Sequence, residues 1–331
     1  MAINPVLFTL AGRRIWVAGH QGMVGAALVR RLAPENCEIL TASRVELDLR
    51  RQSQVEEWMA AKKPDAILLA AGKVGGIHAN SSYPADFIYD NIALEANIIH
   101  AAHALGVRKL LFLGSSCIYP REAPQPMCEE YMLSSAMEPT NEWYAIAKIA
   151  GIKMCQAYRK QHGDDFISVM PTNLYGPGDN FHPLNSHVPA ALMRRFHEAK
   201  EQGQEEVVIW GSGTPLREFM HVDDLADACV FLLKNYSGDM FINIGTGKEI
   251  SITDFARLMM ETTGYQGRLV LDTSKPDGPP RKLLDVSRLT GLGWTARTEL
   301  REGLASAYQW YLEARASGGL HERAHGTTAA E

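Results

Sequence analysis

The sequence has no long hydrophobic run, and this absence excludes a membrane-spanning protein. The apolar stretch at residues 6–11 is much shorter than the roughly 20 residues that a spanning helix needs. No basic segment precedes this stretch, so it does not have the pattern of a secretory signal. We therefore expect a cytoplasmic protein that has no membrane partner.

Dense basic clusters are absent as well. The 331 residues include 33 Lys and Arg against 38 Asp and Glu, which gives a net charge of −5. No basic stripe alternates with aromatic residues, so a nucleic-acid partner is not expected. With 46% hydrophobic residues, the chain can bury a large core and form one or two domains.

Cysteine is scarce, and its spacing does not match a metal site. The five cysteines are scattered along the chain, at positions 37, 117, 128, 155 and 229. An odd number of widely separated cysteines is typical of cytoplasmic thiols rather than of a disulfide framework. The sequence therefore predicts no bound metal.

What the sequence does contain is a regular alternation of short apolar runs with longer segments of helical periodicity. Such alternation predicts an α/β fold of the Rossmann type, a doubly wound parallel sheet with helices on both faces. In a sheet of this kind, ligands bind beyond the carboxyl ends of the strands. The predicted strands cover residues 15–18, 37–42, 66–70, 109–113 and 166–170.

The alternation loosens in the second half of the chain, and this change predicts two lobes. We expect residues 1–172 to form a nucleotide-binding domain, to which residues 216–247 partly return. Residues 173–215 and 248–316 then form a smaller C-terminal α/β lobe that binds substrate. Residues 317–331 are expected to form a flexible tail.

The first predicted strand leads into a glycine-rich turn. Gly19, Gly22 and Gly25 lie between that strand and an amphipathic helix. Glycine at these positions permits a tight turn, close approach of the backbone to a pyrophosphate, and close packing of the helix on the strand. Phosphates bind at such a helix N-terminus, where free N–H groups and the helix dipole favour anions. The pattern predicts a dinucleotide site.

The residues after the second predicted strand favour NADPH as the dinucleotide. An enzyme that prefers NAD places an acidic residue near this position to bind the ribose 2′-hydroxyl. Ser43 and Arg44 stand there instead, and a hydroxyl and a guanidinium suit a 2′-phosphate. Glu46 and Asp48 lie close enough in sequence to keep NADH open as the alternative.

Tyr144 and Lys148 are four residues apart on a predicted helix, so their side chains project from one face. A neighbouring ammonium favours the phenolate, and we expect Lys148 to lower the pKa of Tyr144 from its usual value of about 10. Ser115 or Ser116, earlier in the chain, can hold a carbonyl oxygen while Tyr144 donates a proton to it. This set predicts the reduction of a ketone by a hydride.

Longer motifs extend the comparison to a known family. They lie at residues 73–77, 114–120, 139–148, 170–177, 185–187, 210–213, 217–223 and 275–278. Together they resemble the extended short-chain dehydrogenase/reductase family, and the resemblance covers most of the chain. Within that family, the motifs are most similar to those of enzymes that epimerise and reduce a GDP-linked 4-keto-6-deoxy sugar.

The resemblance implies two chemical stages. Protons on C3 and C5 of the sugar are acidified by the C4 ketone, and Cys117 as base and His187 as acid would invert both centres. NADPH would then reduce the ketone, with Tyr144 as the proton donor and Ser115 at the carbonyl oxygen. Reduction has to come second, because it removes the acidity on which both epimerisations depend.

The resemblance also implies which residues bind the cofactor. Lys148 would hold the ribose hydroxyls, and Arg44 would take more of the 2′-phosphate recognition because Gln21 stands where the family often has an arginine. The implied cofactor contacts, taken together, are Gly19, Gln21, Gly22, Met23, Val24, Gly25, Arg44, Leu113, Gly114, Ser115, Ser116, Lys148, Pro171, Thr172, Asn173, Leu174 and His187.

For the nucleotide-sugar substrate, guanidinium groups match the oxygens of a diphosphate, and an aromatic ring offers a flat surface to the base or ribose. The candidate substrate contacts are Arg195, Trp210, Arg217, Asp277 and Arg281. A homodimer is implied as well. Two long predicted helices, at residues 85–105 and 142–161, suit either an intersubunit bundle or packing within one chain.

Rival functions remain open at this point. A nucleotide-sugar 4-epimerase or 4,6-dehydratase would share the fold, the tyrosine and the lysine. However, dehydratases usually carry an acid pair where this chain has Ser116 and Cys117. A regulator that binds NADPH without catalysis is the third alternative, although such proteins typically lose the tyrosine or the lysine.

Overall fold

The computed structural model describes residues 6–183, 185–275 and 277–322. The strands in this part of the chain are short, and those of the first half are strongly apolar. They are β1 (Arg14–Ala18), β2 (Glu38–Leu40), β3 (Ala66–Leu69), β4 (Lys109–Leu113), β5 (Phe166–Pro171), β6 (Asn173–Tyr175), β7 (Glu206–Trp210), β8 (Leu216–Arg217), β9 (Phe219–His221), β10 (Ile242–Ile244), β11 (Ile250–Ser251), β12 (Arg268–Asp272) and β13 (Arg281–Lys282).

Helices separate most of these strands. They are α1 (Met23–Leu32), α2 (Gln52–Lys62), α3 (Ile77–Ser82), α4 (Pro84–Ala104), α5 (Glu142–His162), α6 (Val188–Glu201), α7 (Val222–Asn235), α8 (Ile252–Thr263), α9 (Ser287–Gly291) and α10 (Leu300–Ala316). The long helices α4 and α5 have 21 residues each and pack against each other. Across the described ranges, none of the helices combines the length and the apolar character that crossing a bilayer requires.

The main sheet of the described residues is parallel and has six strands, in the order β2-β1-β3-β4-β5-β10. The strand order reverses beside β1, which places a ligand-binding crevice beyond the carboxyl ends of β1 and its neighbours. β10 lies within residues 216–247 and pairs with β5. The predicted Rossmann-type α/β fold is confirmed.

Both faces of this sheet are covered by helices, as its continuous apolar strands require. Successive residues of a strand point to opposite faces, and β1 shows the consequence. Trp16 and Ala18 pack into a core with residues of α2, α4 and α5. Ile15 and Val17 pack into a second core with residues of α1 and α7. Polar groups that act on a ligand are therefore confined to the ends of the strands.

The smaller lobe has its own core and its own small sheets. β7 pairs with β12, β8 lies between β11 and β13, and β6 pairs with β9. Its core is rich in aromatic side chains and includes Tyr175, Phe196, Phe255 and Tyr311.

Glu218 joins the two parts of the molecule. Its fully buried carboxylate accepts hydrogen bonds from the backbone N–H groups of Thr246, Gly247 and Leu284, at 2.6, 2.8 and 3.1 Å. Its backbone carbonyl accepts a hydrogen bond from the Asn173 amide at 2.8 Å. These bonds fix the strands of the smaller lobe relative to the ends of β5 and β10.

The start of the segment predicted to be a flexible tail contacts the smaller lobe. The backbone N–H of Phe181 donates to the carbonyl of His321 at 2.8 Å, and Arg194 pairs with Glu322 at 2.6 Å. Residues 317–322 thus lie against the loop that follows β6. The rest of the predicted tail is outside the described residues.

Candidate active site

The glycine turn after β1 is held by close backbone contacts. Gly19 has a φ of 88°, in the left-handed region that favours glycine, and a Cβ there would lie 2.7 Å from the backbone of Ala71. A Cβ on Gly25 would lie 2.1 Å from the carbonyl oxygen of Gly19. The helix α1 begins directly after Gly22. Its first N–H groups have no partner within the helix, as an anion site requires.

At the end of β2, the acidic side chains are engaged within the protein. Glu46 accepts a hydrogen bond from the backbone N–H of Ser43 at 2.7 Å. Asp48 accepts two hydrogen bonds from the Arg50 guanidinium, each at 2.9 Å, and this pairing lowers the pKa of Asp48. Arg44 is exposed in the same segment. This end of the sheet therefore has an exposed guanidinium, while its nearby carboxylates are engaged within the protein.

The other predicted cofactor residues follow β1, β4 and β5 at the same edge of the sheet. Gly114 comes directly after β4, and a Cβ there would lie 2.5 Å from Cε of Met170. Thr172 follows β5 and donates its backbone N–H to the carbonyl of Ile244 at 2.9 Å. The remaining residues at this edge are Gln21, Met23, Val24, Leu113, Ser115, Ser116, Pro171, Asn173 and Leu174.

Tyr144 lies in the first turn of α5 and is almost fully buried. Its ring packs edge-on against Phe87, with 6.2 Å between the ring centroids, in a small cluster that also contains Ala79 and Cys117. The hydroxyl of Ser115 lies near the Tyr144 phenol and acts to lower its pKa, against the larger effect of burial. The Ser115 hydroxyl and the Tyr144 phenol therefore lie close together beyond the end of β4.

Lys148 is buried one helical turn from Tyr144. Its ammonium lies 2.9 Å from Oε1 of Glu95 on α4 and donates a hydrogen bond to the carbonyl of Leu113 at 3.1 Å. Glu95 is 1% exposed, and burial raises its pKa to about 7 although Lys148 opposes the shift. The sequence analysis missed Glu95. The available signal was a carboxylate within the apolar run at residues 92–102.

The expectation that Lys148 lowers the pKa of Tyr144 is wrong. The pKa of Tyr144 is raised, chiefly because the phenol is buried and further because Cys117 and Glu95 place negative charge nearby. The ammonium of Lys148 lies 5.8 Å from the centre of the Tyr144 ring, and Glu95 balances its charge. Tyr144 therefore keeps its proton at neutral pH, which a proton donor requires.

Cys117 is the thiol of this site. It is partly exposed, whereas Cys155 and Cys229 are buried, and burial raises the pKa of Cys155 to about 12. The amide of Asn141 donates a hydrogen bond to Sγ of Cys117 at 3.4 Å. Asn141 is the residue before α5 and is a second site residue that the sequence analysis missed. A polar residue at the start of the helix that carries the tyrosine was the available signal.

His187 lies immediately before α6 and is exposed. The preceding residue approaches the loop between β3 and α3, because a Cβ on Gly76 would lie 3.2 Å from the carbonyl oxygen of Ser186. Gly76 is followed by α3, whose Ala79 packs in the cluster with Tyr144. The loop that ends at His187 therefore borders that cluster.

The residues predicted to bind the nucleotide lie around β7, β8 and β13. Trp210 ends β7 and is 70% exposed, and the ammonium of Lys275 lies 5.7 Å from its ring centre. Asp277 accepts hydrogen bonds from the backbone N–H and the hydroxyl of Ser212, at 2.9 and 2.7 Å. Asp277 thus holds the turn beside an exposed aromatic ring.

Three predicted arginines lie on β8, β13 and α6. Arg217 on β8 and Arg281 on β13 stand on neighbouring strands, and burial lowers the pKa of Arg217. Arg281 is paired with Glu249 at 2.8 Å. Arg195 on α6 donates a hydrogen bond to the carbonyl of Val208, within β7. Of these three guanidinium groups, that of Arg281 already has a counter-charge.

Comparison with known proteins shows the family of the chain. Residues 15–245 match the NAD dependent epimerase/dehydratase family. The chain belongs to this family. It is 61% identical over 301 residues to GDP-L-fucose synthase 1 of Arabidopsis thaliana, across 91% of this chain and 93% of the relative. It is 54% identical over 314 residues to GDP-L-fucose synthase of Escherichia coli (strain K12), across 92% and 98%.

Solved structures of the family agree with the fold. The GDP-L-fucose synthetase of Naegleria fowleri bound to NADP superposes with a TM-score of 0.86 at 26% identity, across 95% of this chain and 98% of that one. The resemblance that the motifs predicted is confirmed, and so is the prediction of an enzyme. In the described part of the family fold, no group of three or more His, Cys, Asp or Glu side chains can hold a metal ion.

Gly25→Ala should destabilise the glycine turn, because the added methyl group would lie 2.1 Å from the Gly19 carbonyl oxygen. We expect a loss of about 1–3 kcal/mol, as for other overpacked positions. Gly22→Ala is the matched control, since its Cβ would lie 3.5 Å from the same oxygen, an ordinary contact. Thermal denaturation measures both variants, and equal melting temperatures would contradict this account of the turn.

Proposed function

We propose that the chain converts GDP-4-keto-6-deoxy-D-mannose to GDP-L-fucose, by epimerisation at C3 and C5 followed by reduction at C4 with NADPH. The observation that carries this proposal is the cluster of Ser115, Cys117 and Tyr144 beyond β4. It sets a thiol suited to proton transfer at carbon beside a phenol suited to proton transfer to oxygen. The high identity to enzymes named GDP-L-fucose synthase supports the nucleotide-sugar substrate.

NADPH fits the residues at the edge of the sheet. A Cβ at Gly19 or Gly25 would meet backbone atoms, so the turn keeps the close approach that a pyrophosphate needs. The exposed guanidinium of Arg44 suits the 2′-phosphate, and the ribose hydroxyls are assigned to Lys148. Bound NADPH supplies the hydride for C4. The Naegleria fowleri relative bound to NADP agrees with this cofactor.

Epimerisation is assigned to Cys117 and His187. The C4 ketone acidifies the protons on C3 and C5, so a thiolate can remove each of them and an acid on the opposite face can return one. The amide of Asn141, 3.4 Å from the sulfur, donates a hydrogen bond to it and thereby orients the Cys117 side chain. The loop before His187 borders the same cluster, which suits an acid that approaches from the other lobe.

Reduction is assigned to Tyr144 and Ser115. The Ser115 hydroxyl holds the C4 oxygen, and Tyr144 donates its proton as negative charge develops on that oxygen. The raised pKa of Tyr144 keeps the phenol protonated before the reaction, because burial disfavours phenolate. The oxygen of a ketone undergoing reduction becomes strongly basic, and it can therefore take the proton from this phenol.

The nucleotide part is assigned to the smaller lobe. The exposed face of Trp210 suits stacking with the base or ribose, and Arg195 and Arg217 suit the diphosphate. Arg281 can join them after exchanging its Glu249 partner for phosphate oxygens. Asp277 supports the turn after Trp210 through Ser212.

The first test is NADPH oxidation with GDP-4-keto-6-deoxy-D-mannose, with the product analysed for configuration at C3, C4 and C5. Tyr144→Phe should lower the rate of reduction by about 10²–10⁴-fold, the usual contribution of a general acid.

Cys117→Ser should slow the exchange of the C3 and C5 protons with deuterium from solvent. Cys128→Ser is the matched control, because Cys128 is a partly exposed thiol outside the site. If the wild-type protein binds NADPH tightly but does not oxidise it in the presence of this substrate, the proposed substrate is refuted. A related keto-sugar or a regulatory role would then be favoured.

Arg44→Ala should reduce kcat/KM for NADPH by about tenfold or more, since a hydrogen bond to a charged group contributes about 1.5–3 kcal/mol. The value for NADH should stay nearly the same, because its ribose lacks the 2′-phosphate. Steady-state kinetics with both cofactors measures the ratio. Arg51→Ala removes another exposed arginine and serves as the control. A cofactor ratio that Arg44→Ala leaves unchanged would contradict the assignment of this residue.

We also propose a homodimer, formed through α4 and α5, in a cytoplasmic protein. The two helices expose large apolar side chains, including Ile92 at 37% and Ile146 at 37%. Ile92→Glu combined with Ile146→Glu should convert a dimer to a monomer, as measured by light scattering after gel filtration. Leu7→Glu, at another exposed apolar residue, is the control. An unchanged mass in the double variant would exclude this face.

A further inference from the structure

Glu95 is a buried carboxylate that the chemistry described above does not use. Its Oε1 lies 2.9 Å from the ammonium of Lys148. Apart from Lys148, neither of its carboxylate oxygens has a hydrogen-bond partner among the described residues. A carboxylate in this position is costly, and an apolar side chain of similar size would generally pack there at least as stably. The charge therefore calls for an explanation other than stability.

The neighbouring helix makes room for this carboxylate. Gly151 of α5 lies beside it, and a Cβ at this position would be 2.8 Å from Oε2 of Glu95 and 2.4 Å from Cζ of Phe112. Phe112 also contacts the cation, since the Lys148 ammonium lies 4.9 Å from the centre of its ring. Glu95 and Lys148 are thus enclosed together in a pocket whose walls fit both side chains.

We propose that Glu95 is a positioning residue for the reduction step: it holds the Lys148 ammonium in place and, through its charge, keeps Tyr144 protonated until the C4 oxygen accepts the proton. The inference rests on the proposed function, because it concerns the same proton donor. It assigns Glu95 to the reduction and leaves the epimerisation to Cys117 and His187.

The charge of Glu95 shifts the pKa of neighbouring groups in a direction that can be predicted. The ionisable groups on which it acts belong to α5 and are Lys148, Tyr144 and Cys155. Cys117, beyond β4, adds its own negative charge at Tyr144. A carboxylate anion favours the protonated form of each neighbour. Removing it takes away one of the causes that raise the pKa of Tyr144, and loss of the phenol proton ends the reduction.

Glu95→Gln is therefore expected to move the basic limb of the pH profile of kcat to lower pH. It should also lower kcat for NADPH oxidation by about tenfold or more, part of the 10²–10⁴-fold that a general acid contributes. Deuterium exchange at C3 and C5, measured without NADPH, should remain within about twofold of the wild type, since Cys117 and His187 are retained.

Glu95→Asp is the conservative variant and keeps the charge. Its basic limb should stay closer to that of the wild type than the limb of Glu95→Gln. Glu129→Gln is the matched control, because Glu129 is also a buried carboxylate, 4% exposed, but pairs with Arg288 away from the site. Its pH profile should equal that of the wild type.

Melting temperatures of the cofactor-free protein provide a readout that does not depend on turnover. Lys148→Met leaves the Glu95 carboxylate buried without its counter-charge and should melt at a lower temperature than the wild type. Adding Glu95→Gln to this variant removes the isolated charge and should raise the melting temperature again. A double variant that melts below Lys148→Met would contradict the direct pairing.

The outcomes separate this inference from the function on which it rests. A wild-type chain without NADPH oxidation and without exchange would overturn the proposed function, and the inference with it. An active wild type whose kcat profile is unchanged by Glu95→Gln would overturn the inference alone. The same holds if Glu95→Gln lowers exchange and reduction equally, or if Glu95→Asp shifts the limb as far as Glu95→Gln does.

Discussion

The main sheet is covered by helices on both faces, and this constraint determines where the protein can carry out chemistry. Apolar side chains above and below β1 fill two separate cores, so a polar side chain inside either core would be costly. Only the strand ends remain for polar groups that meet a ligand. The glycine turn, the exposed Arg44 and the Ser115 loop all lie at such ends, and together they form one continuous rim.

Burial also determines the protonation state of Tyr144. The phenol lies at the border between the rim and the interior, where the loss of solvent disfavours its anion. Lys148 brings a positive charge to this border, but the carboxylate of Glu95 compensates it. The electrostatic state of the site is therefore set by three side chains on two helices and not by a tyrosine and lysine alone.

The sequence was sufficient for the larger pattern of the fold. The predicted strand at 109–113 coincides with β4, and the predicted helix at 85–105 differs from α4 by one residue at each end. The strands of the smaller lobe were not predicted one by one, because β8 and β13 have two residues each and such runs show no periodicity.

Within the site, residue types and spacing predicted the pairing of the tyrosine and the lysine, and the family resemblance added the thiol, but neither gave the direction of the Tyr144 pKa. A spacing of four residues shows that two side chains share a helical face, but it does not show how deeply they are buried or what a third element places between them. Glu95 comes from another helix, and Asn141 reaches Cys117 across a loop. Both contacts depend on tertiary packing, which a local pattern does not contain.

The contact between residues 317–322 and the loop after β6 affects the order in which parts of the molecule fold during synthesis. His321 approaches the carbonyl of Gly178 across 143 residues of chain. During synthesis the residues of the main sheet emerge early and can begin to fold, whereas this loop lacks its partner until residue 321 has been made. The loop leads on to His187, so the segment that carries this histidine is among the last parts to acquire its final support.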